Sequence, residues 1–182
     1  METSKMFNIF PGTSLRDVVD RQREKERNKI TSWKWGWRIN PVTKFKQFLN
    51  GMDLPVKQGT QIFSPYDFIV KKVAIWGATK EERKNNISGN FLQLTHPNNS
   101  EITETRYAHL CDWDAELKVK LDKWCNDKEL VKAGTLIGYV GTTGRSTGPH
   151  LHFIMLVKKP YIFGGLSIRH VDPFPYILSC VE

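Results

Sequence analysis

The chain has 182 residues, enough for one domain with a short extension and an ordinary hydrophobic core. Its content of 40% hydrophobic and 25% charged residues is typical of a globular protein and argues against disorder. The net charge of +8 favours anionic partners, which could be nucleic acid, an anionic membrane or an acidic wall polymer. A nucleic-acid function would rest on charge alone, so we do not expect one.

Membrane and secretion signals are not visible in the sequence. No apolar run approaches the roughly 18 residues of a membrane-spanning helix, so no transmembrane segment is expected. Residues 1–7 lack an apolar stretch followed by a small-residue cleavage site, so we see no signal peptide. Cys111, Cys125 and Cys180 lack the CxxC spacing of a zinc site. A Cys111–Cys125 disulfide is one option, and the redox state of the three cysteines stays open.

The amino-terminal part of the chain predicts a helix over residues 13–30, where charges alternate densely. Ser14 can cap the start of this helix, and Val18 belongs to a thin apolar stripe along it. We expect a solvated helix that lies on the main domain. The chain therefore divides into a helical extension at 1–33 and a larger domain at 34–182.

From Trp35 onwards the pattern changes to short, alternating apolar runs separated by turn residues. The strand candidates lie at 45–54, 62–63, 68–70, 73–76, 91–94, 135–140 and 150–157. Two insertions interrupt them: a polar one at 77–88 and one at 111–128 that is charged enough to be helical. The larger domain is therefore predicted to be rich in β-structure with short connections.

Three tryptophans, Trp33, Trp35 and Trp37, alternate with other residues. In a strand, they would lie on one face, because successive side chains point to opposite sides. Packing against a core or a neighbouring domain is the ordinary interpretation, and stacking on sugars is the more specific alternative.

The strongest motif is the block GTTGRSTGPHLHF at residues 141–153. His150 and His152 project from the same face of the strand that follows a glycine-rich loop, about 7 Å apart at their Cα atoms. Two imidazoles at this spacing can share a metal-centred site, one as ligand and one as proton carrier. His96 and His170 match no motif and are expected to be surface or packing residues.

With this block the chain resembles the lysostaphin-type zinc endopeptidases, which cut peptidoglycan cross-bridges and carry GxTGxSTGPHLHF. Three further segments match that family in order: 35–43 for its opening strand, 49–54 for HxGxD followed by Gly59-Thr60, and 107–110 for YxHL. The resemblance runs from Trp35 to Ile177. It implies a mainly β fold, the antiparallel barrel-sandwich called the duplicated hybrid motif.

The resemblance also implies a catalytic site. Asp53 and His152 occupy two zinc-ligand positions, and His109 and His150 occupy the positions that flank the bound water and stabilise the tetrahedral intermediate. A zinc-bound water, with its pKa lowered toward 7, would attack the peptide carbonyl. Three residues of the matched motifs are candidates for substrate contact: Tyr107, Thr143 and Ser146.

One position departs from the family, because Leu49 stands where the first histidine ligand belongs. Leucine cannot bind a metal, Asn50 points to the other face of a strand, and the amide of Gln47 is a weak zinc ligand. Either His109 or His150 could serve as a third ligand, at the expense of its catalytic role. Loss of an outer-shell partner costs about 10–100-fold in metal affinity, so loss of a ligand should cost at least that.

Two functions remain open on the sequence. The first is a peptidoglycan-directed zinc metalloendopeptidase with a weak or inactive site. The second is a non-catalytic module that binds peptidoglycan peptides, regulates another wall hydrolase, or forms part of a phage or cell-envelope structure. Leu49 favours the second function, whereas the presence of Asp53 with three histidines favours the first. The family implies the cell envelope or the extracellular space.

Overall fold

The computed structural model describes residues 6–27, 35–39, 44–76, 81, 86–161 and 164–179. The helices in these ranges are α1 (Leu15–Arg27), α2 (Ala115–Asp127) and α3 (Phe174–Leu178). The strands are β1 (Gly36–Ile39), β2 (Lys46–Leu49), β3 (Met52–Leu54), β4 (Gln61–Phe63), β5 (Ile69–Ala74), β6 (Asn90–Thr95), β7 (Ile102–Leu110), β8 (Leu136–Tyr139), β9 (Leu151–Pro160) and β10 (Leu166–Val171). Trp33 and most of the polar insertion at 77–88 lie outside the described residues.

The main sheet has the strand order β10-β9-β7-β6-β5, with antiparallel pairing throughout. Strand β3 also pairs with β9, while β1-β2 and β4-β8 form separate two-stranded sheets. The prediction of a mainly β, antiparallel fold is confirmed. Among the described strands, however, the sheets do not close into a barrel.

Strand β9 is the centre of this sheet. One edge of it pairs with β7, and its other edge pairs first with β3 and then with β10. Every residue from Leu151 to Val157 is buried except His152, which is half-buried. Apolar side chains on both faces suit a strand that is covered on both sides, and the predicted buried strand at 150–157 is confirmed.

The sequence pattern did not predict two of the described strands, β7 and β10. In β7 the polar residues Thr103, Glu104 and Thr105 break the apolar alternation, although Glu104 and Thr105 are buried. The Glu104 carboxylate forms ion pairs with Lys71 on β5 and with Arg106 on β7 itself, and the local sequence pattern does not reveal its burial. Strand β10 is an edge strand with a mostly exposed surface, so it lacks an apolar pattern.

The predicted helices are both confirmed. In α1 the backbone N–H of Asp17 donates to the Ser14 hydroxyl at 3.1 Å, and Val18 is fully buried. In α2 the Asp114 carboxylate caps the first turn by accepting from the N–H of Leu117 at 2.8 Å.

None of the described helices is both long and apolar enough to span a membrane. Cys111 and Cys125 are both free thiols, and Cys180 lies outside the described residues.

A buried hydrogen-bond chain crosses the core at His96. Its Nδ1 lies 2.9 Å from the carbonyl of Asp67 and its Nε2 lies 2.8 Å from the Thr105 hydroxyl. Because a carbonyl only accepts, Nδ1 carries the proton and Nε2 accepts from Thr105, which in turn accepts from the Tyr107 hydroxyl at 3.1 Å. Burial lowers the pKa of His96 from 6.5 to about 4, so the ring is neutral in the folded protein.

This histidine should make the domain sensitive to mild acid. The unfolded chain binds a proton at His96 below pH 6.5 and the folded chain only near pH 4, so the stabilisation is full above pH 6.5 and is lost as the pH falls toward 4. The loss attributable to His96 is about 3 kcal/mol. Urea denaturation of wild type and His96→Gln between pH 4.5 and 7.5 should show the gap between the two proteins changing with pH. Parallel stability curves would contradict the neutral, buried assignment.

Candidate active site

One carboxylate and three imidazoles converge at the end of β7, β3 and β9. Asp53 and His152 are directly opposite residues of β3 and β9, and the Asp53 Oδ1 atom lies 2.7 Å from the His152 Nδ1 atom. The His150 Nε2 atom lies 3.7 Å from the same oxygen. The ring of His109 lies 4.7 Å from that of His150 and 6.1 Å from that of His152, measured between centroids. The structure therefore brings the four predicted catalytic and metal residues together.

The charge of Asp53 is balanced by cationic neighbours. Its second oxygen, Oδ2, lies 3.3 Å from the Nη1 atom of Arg38 on β1. Burial pushes the pKa of Asp53 up, but the hydrogen bond from His152 and electrostatic interactions with His152, His150 and Arg38 outweigh burial. The resulting pKa of Asp53 lies below its usual value, so the group is a carboxylate at neutral pH.

The close approach of β3 to β9 depends on Gly51. A Cβ atom at this position would lie 2.5 Å from the carbonyl oxygen of Phe153 and 3.0 Å from the Nε2 atom of His152. Any larger residue would push the chain that leads into β3 away from β9. The glycine thus keeps Asp53 within hydrogen-bond distance of His152.

His109 is held in one orientation at the end of β7. Its φ of 61° is uncommon for a residue with a side chain, and its backbone N–H donates to the carbonyl of Ser88 at 2.8 Å. Its Nδ1 donates to the carbonyl of Thr143 at 2.8 Å, which leaves the lone pair on Nε2. Burial first, and then the positive charge of His150, lower the pKa of His109 to about 4. The ring is therefore a neutral base at physiological pH.

The glycine-rich loop fixes His150 in a similar way. The Nδ1 atom of His150 donates to the carbonyl of Gly148 at 2.8 Å, so its Nε2 atom is the one directed at Asp53. The Ser146 hydroxyl donates to the same carbonyl at 2.7 Å and lies 3.3 Å from His150 Nδ1. Ser146 therefore supports the orientation of His150.

The other two candidates for substrate contact have different surroundings. The Thr143 hydroxyl donates to the carbonyl of Leu110 at 2.7 Å and accepts from the N–H of Asn90 at 2.9 Å, which ties the loop to β7 and β6. Tyr107 is fully buried, and its hydroxyl bonds to Thr105. Contact between Tyr107 and a substrate would require the core to open.

Leu49 lies on the side of the β1–β2 hairpin that faces this site. Arg38 pairs with Gln47, and Gly36 pairs with Leu49, so Arg38 and Leu49 share one face as diagonal neighbours, about 7–8 Å apart. Arg38 reaches Asp53 from this face. Leu49 is only 7% exposed. Leu49 therefore places a buried hydrocarbon side chain on the face of the hairpin from which Arg38 reaches Asp53.

Two of the donors that a zinc ion would need, Asp53 and His152, lie within hydrogen-bond distance of each other. A catalytic zinc site uses three protein ligands and a water. Within the described residues, no group of three or more His, Cys, Asp and Glu side chains is placed to hold a metal ion. Asp53 and His152 provide two suitable donors, while Leu49 provides none.

Arg38 and Gly51 are site residues that the sequence did not reveal. Arg38 alternates with Trp37 and Ile39, so the only local signal was that its side chain points away from theirs. Its contact with Asp53 depends on how the β1–β2 hairpin packs beside β3, which is a non-local arrangement. Gly51 stood inside a matched motif, but its steric role depends on the proximity of β9.

The antiparallel β domain thus presents one carboxylate and three imidazoles at a single site. The chain belongs to peptidase family M23, whose family model matches residues 47–163. This match begins within β2, covers β3 through β9 and includes all four converging residues.

Similar proteins support this assignment. The chain is 34% identical over 149 residues to the peptidoglycan DD-endopeptidase ShyB of Vibrio cholerae, covering 81% of this chain and 30% of that protein. It is 32% identical over 119 residues to the DD-carboxypeptidase/endopeptidase Mpg of Neisseria meningitidis, covering 65% of this chain and 22% of that protein. The chain therefore spans less than a third of the length of these curated relatives.

Solved structures show the same fold. A zinc-containing peptidase from Vibrio cholerae matches with a TM-score of 0.52 and 30% identity, over 81% of this chain and 35% of that one. The catalytic domain of lysostaphin from Staphylococcus simulans matches with a TM-score of 0.53 and 22% identity, over 81% of this chain and 90% of that one. The second likeness concerns the fold alone.

The steric role of Gly51 can be tested with a matched pair of variants. Gly51→Ala should lower the free energy of unfolding by about 1–3 kcal/mol, because its methyl group meets the backbone of β9. Gly148→Ala, in the same site, should change the free energy by less than about 0.5 kcal/mol, because nothing lies within 4 Å of its added carbon. Urea denaturation of both variants measures the difference. Equal losses would show that β3 can shift without cost.

Proposed function

We propose that this domain binds the peptide part of peptidoglycan at the site around Asp53 and the three histidines, and that it is a weak or inactive peptidase. The observation that carries the proposal is Leu49, a buried leucine on the side of the hairpin that faces Asp53. It leaves the site with the polar groups that bind a substrate and without a complete set of metal donors.

The substrate class rests on the relatives. ShyA, ShyB and ShyC of Vibrio cholerae are each named as peptidoglycan DD-endopeptidases, with 31–34% identity to this chain. The chain corresponds to 30% or less of each of them. The proposal therefore concerns this domain and the polymer it recognises.

The side chains of the site can bind a peptide without a metal. The Nε2 atom of His109 can accept a hydrogen bond from a peptide N–H, because its Nδ1–H is already used by Thr143. Arg38 keeps the Asp53 carboxylate charged in a partly buried setting. Hydrogen-bond groups that are oriented in advance lower the entropic cost of binding an extended peptide.

A non-catalytic role is the second candidate function. A domain that binds wall peptides without cutting them could position or regulate a separate wall hydrolase, or serve as a structural part of a phage or envelope assembly. Leu49 supports this candidate as well. The two candidates differ in turnover, so hydrolysis of purified peptidoglycan at high enzyme concentration separates them.

The zinc content of the protein tests the role of Leu49. Wild type purified without chelator should contain clearly less than one zinc per chain, and Leu49→His should raise the zinc affinity by at least about 10–100-fold. The reason is that an imidazole at this position would add a third donor to Asp53 and His152. Calorimetric titration with zinc and elemental analysis measure the two quantities.

Two control variants sharpen this test. Leu49→Gln places a polar side chain without an imidazole at the same position and should leave zinc affinity near the wild-type value. The double variant Leu49→His/His152→Ala should lose the gain. Equal zinc affinity of wild type and Leu49→His would contradict the assignment of Leu49 to the ligand position.

Substrate binding can be tested independently of the metal. Wild-type protein should sediment with purified peptidoglycan sacculi in the presence of chelator, and His109→Ala should weaken this binding. The salt dependence is the control, because a chain of net charge +8 also binds anionic polymers non-specifically. Binding that disappears near physiological ionic strength in every variant would mean that charge alone is responsible.

A further inference from the structure

The outer face of the β1–β2 hairpin carries a cluster of exposed apolar side chains. Trp37 is 68% exposed, and Ile39 and Phe48 are also exposed. Together with Trp35, these residues form what we call the aromatic face. Large apolar side chains grouped on a surface usually mark a binding site, whereas single ones need no explanation. The expectation of alternating tryptophans on one face holds for Trp35 and Trp37, but Trp37 is not a core residue.

The rings of the aromatic face hold one another in position. Phe48 contacts Trp35 edge-on at 5.0 Å and Trp37 edge-on at 5.5 Å, measured between ring centroids. The Lys46 ammonium lies 5.2 Å from the centroid of the Trp37 ring. Such contacts limit rotation of the rings, so a ligand would meet a preorganised surface with one cation beside it.

The same hairpin connects the aromatic face to the site. Because side chains alternate along β1, Trp37 and Ile39 point outwards while Arg38 between them points inwards to Asp53. The aromatic face and the Asp53 site therefore lie on opposite sides of one two-stranded sheet. A polymer that contacts both must pass around an edge of this narrow hairpin.

We propose that the aromatic face binds the glycan strand of peptidoglycan, a chain of β-linked N-acetylhexosamines, next to the peptide site. This inference rests on the proposed function, because the peptides of this polymer are attached to its sugars and bring the glycan close to the site. The apolar C–H faces of pyranose rings stack on aromatic rings, and the N-acetyl methyl groups add apolar contact. The Lys46 ammonium can donate to an acetyl carbonyl or a sugar hydroxyl.

Charge argues against a second copy of the chain as the occupant. Each chain carries a net charge of +8, and Lys46 lies at the edge of the aromatic face. Two such faces in contact would bring like charges together, which opposes association. An anionic membrane surface would suit the charge, so it is treated as an alternative outcome of the test.

The test uses a peptide-free glycan and the full chain. Soluble β-1,4-linked N-acetylglucosamine oligomers should bind wild type, with a change in tryptophan fluorescence, and Trp37→Ala should weaken binding at least about 10-fold, as expected for an aromatic anchor. Leu166→Ala on β10 is the matched control, since Leu166 is 69% exposed and belongs to a different surface. It should bind as wild type does. Unchanged thermal unfolding of both variants checks that they are folded.

Two further measurements separate this inference from the proposed function. A synthetic stem peptide without sugar should bind wild type and Trp37→Ala equally, and its failure to bind either would overturn the peptide site while leaving the glycan result intact. Failure of the oligosaccharide to bind wild type, or equal binding by Trp37→Ala, would overturn the glycan proposal. The glycan proposal would also be overturned if the protein failed to bind the sugar and Trp37 instead mediated association with phosphatidylglycerol vesicles. Formation of a dimer that depends on Trp37, without sugar binding, would overturn it as well.

Discussion

The Asp53 carboxylate and the His152 imidazole face each other across the β3–β9 pair at 2.7 Å, and the arrangement of the whole site depends on this contact. A partly buried carboxylate is costly unless charges and hydrogen bonds compensate it. His152 provides the hydrogen bond, Arg38 provides a permanent positive charge, and Gly51 allows the two strands to approach. On the other edge of β9, Ala108 is opposite His152, which places His109 at the same end of the sheet.

The sequence revealed those parts of the structure whose pattern is local. Strand β9, with His152 on it and His150 directly before it, was recognisable because alternation and a dense motif coincide there, and α2 was recognisable from its charge pattern. Strand β7 was not, because the buried Glu104 interrupts its apolar pattern and is paired with Arg106 on the same strand and with Lys71 on β5. The contact of Arg38 with Asp53 was equally hidden, since it depends on the position of a separate two-stranded sheet. Whether sheets close into a barrel is likewise set by distant pairings.

On the proposed function, a leucine at position 49 has a physical explanation. Leu49 is buried, and burial of a leucine side chain contributes roughly 1.5–3 kcal/mol to stability. A histidine at the same place with no metal bound would need a hydrogen-bond partner or would lose stability through desolvation. Stability and metal affinity therefore make opposite demands on this position. Arg38 pairs with Asp53 and keeps its carboxylate charged, whether position 49 holds a leucine or a histidine.

The exposed aromatic face bears on the choice between a catalyst and a binder. Remote contacts that stabilise the bound ground state and the transition state equally tighten binding without accelerating the chemical step. They also slow the release of a polymer that is cut but still held. For an enzyme that turns over, such contacts beyond a certain strength bring no gain in rate. For a domain that stays on the wall, each additional contact lengthens the residence time. On the proposed function, a hairpin with Leu49 on one face and aromatic rings in edge-on contact on the other suits the second task better than the first.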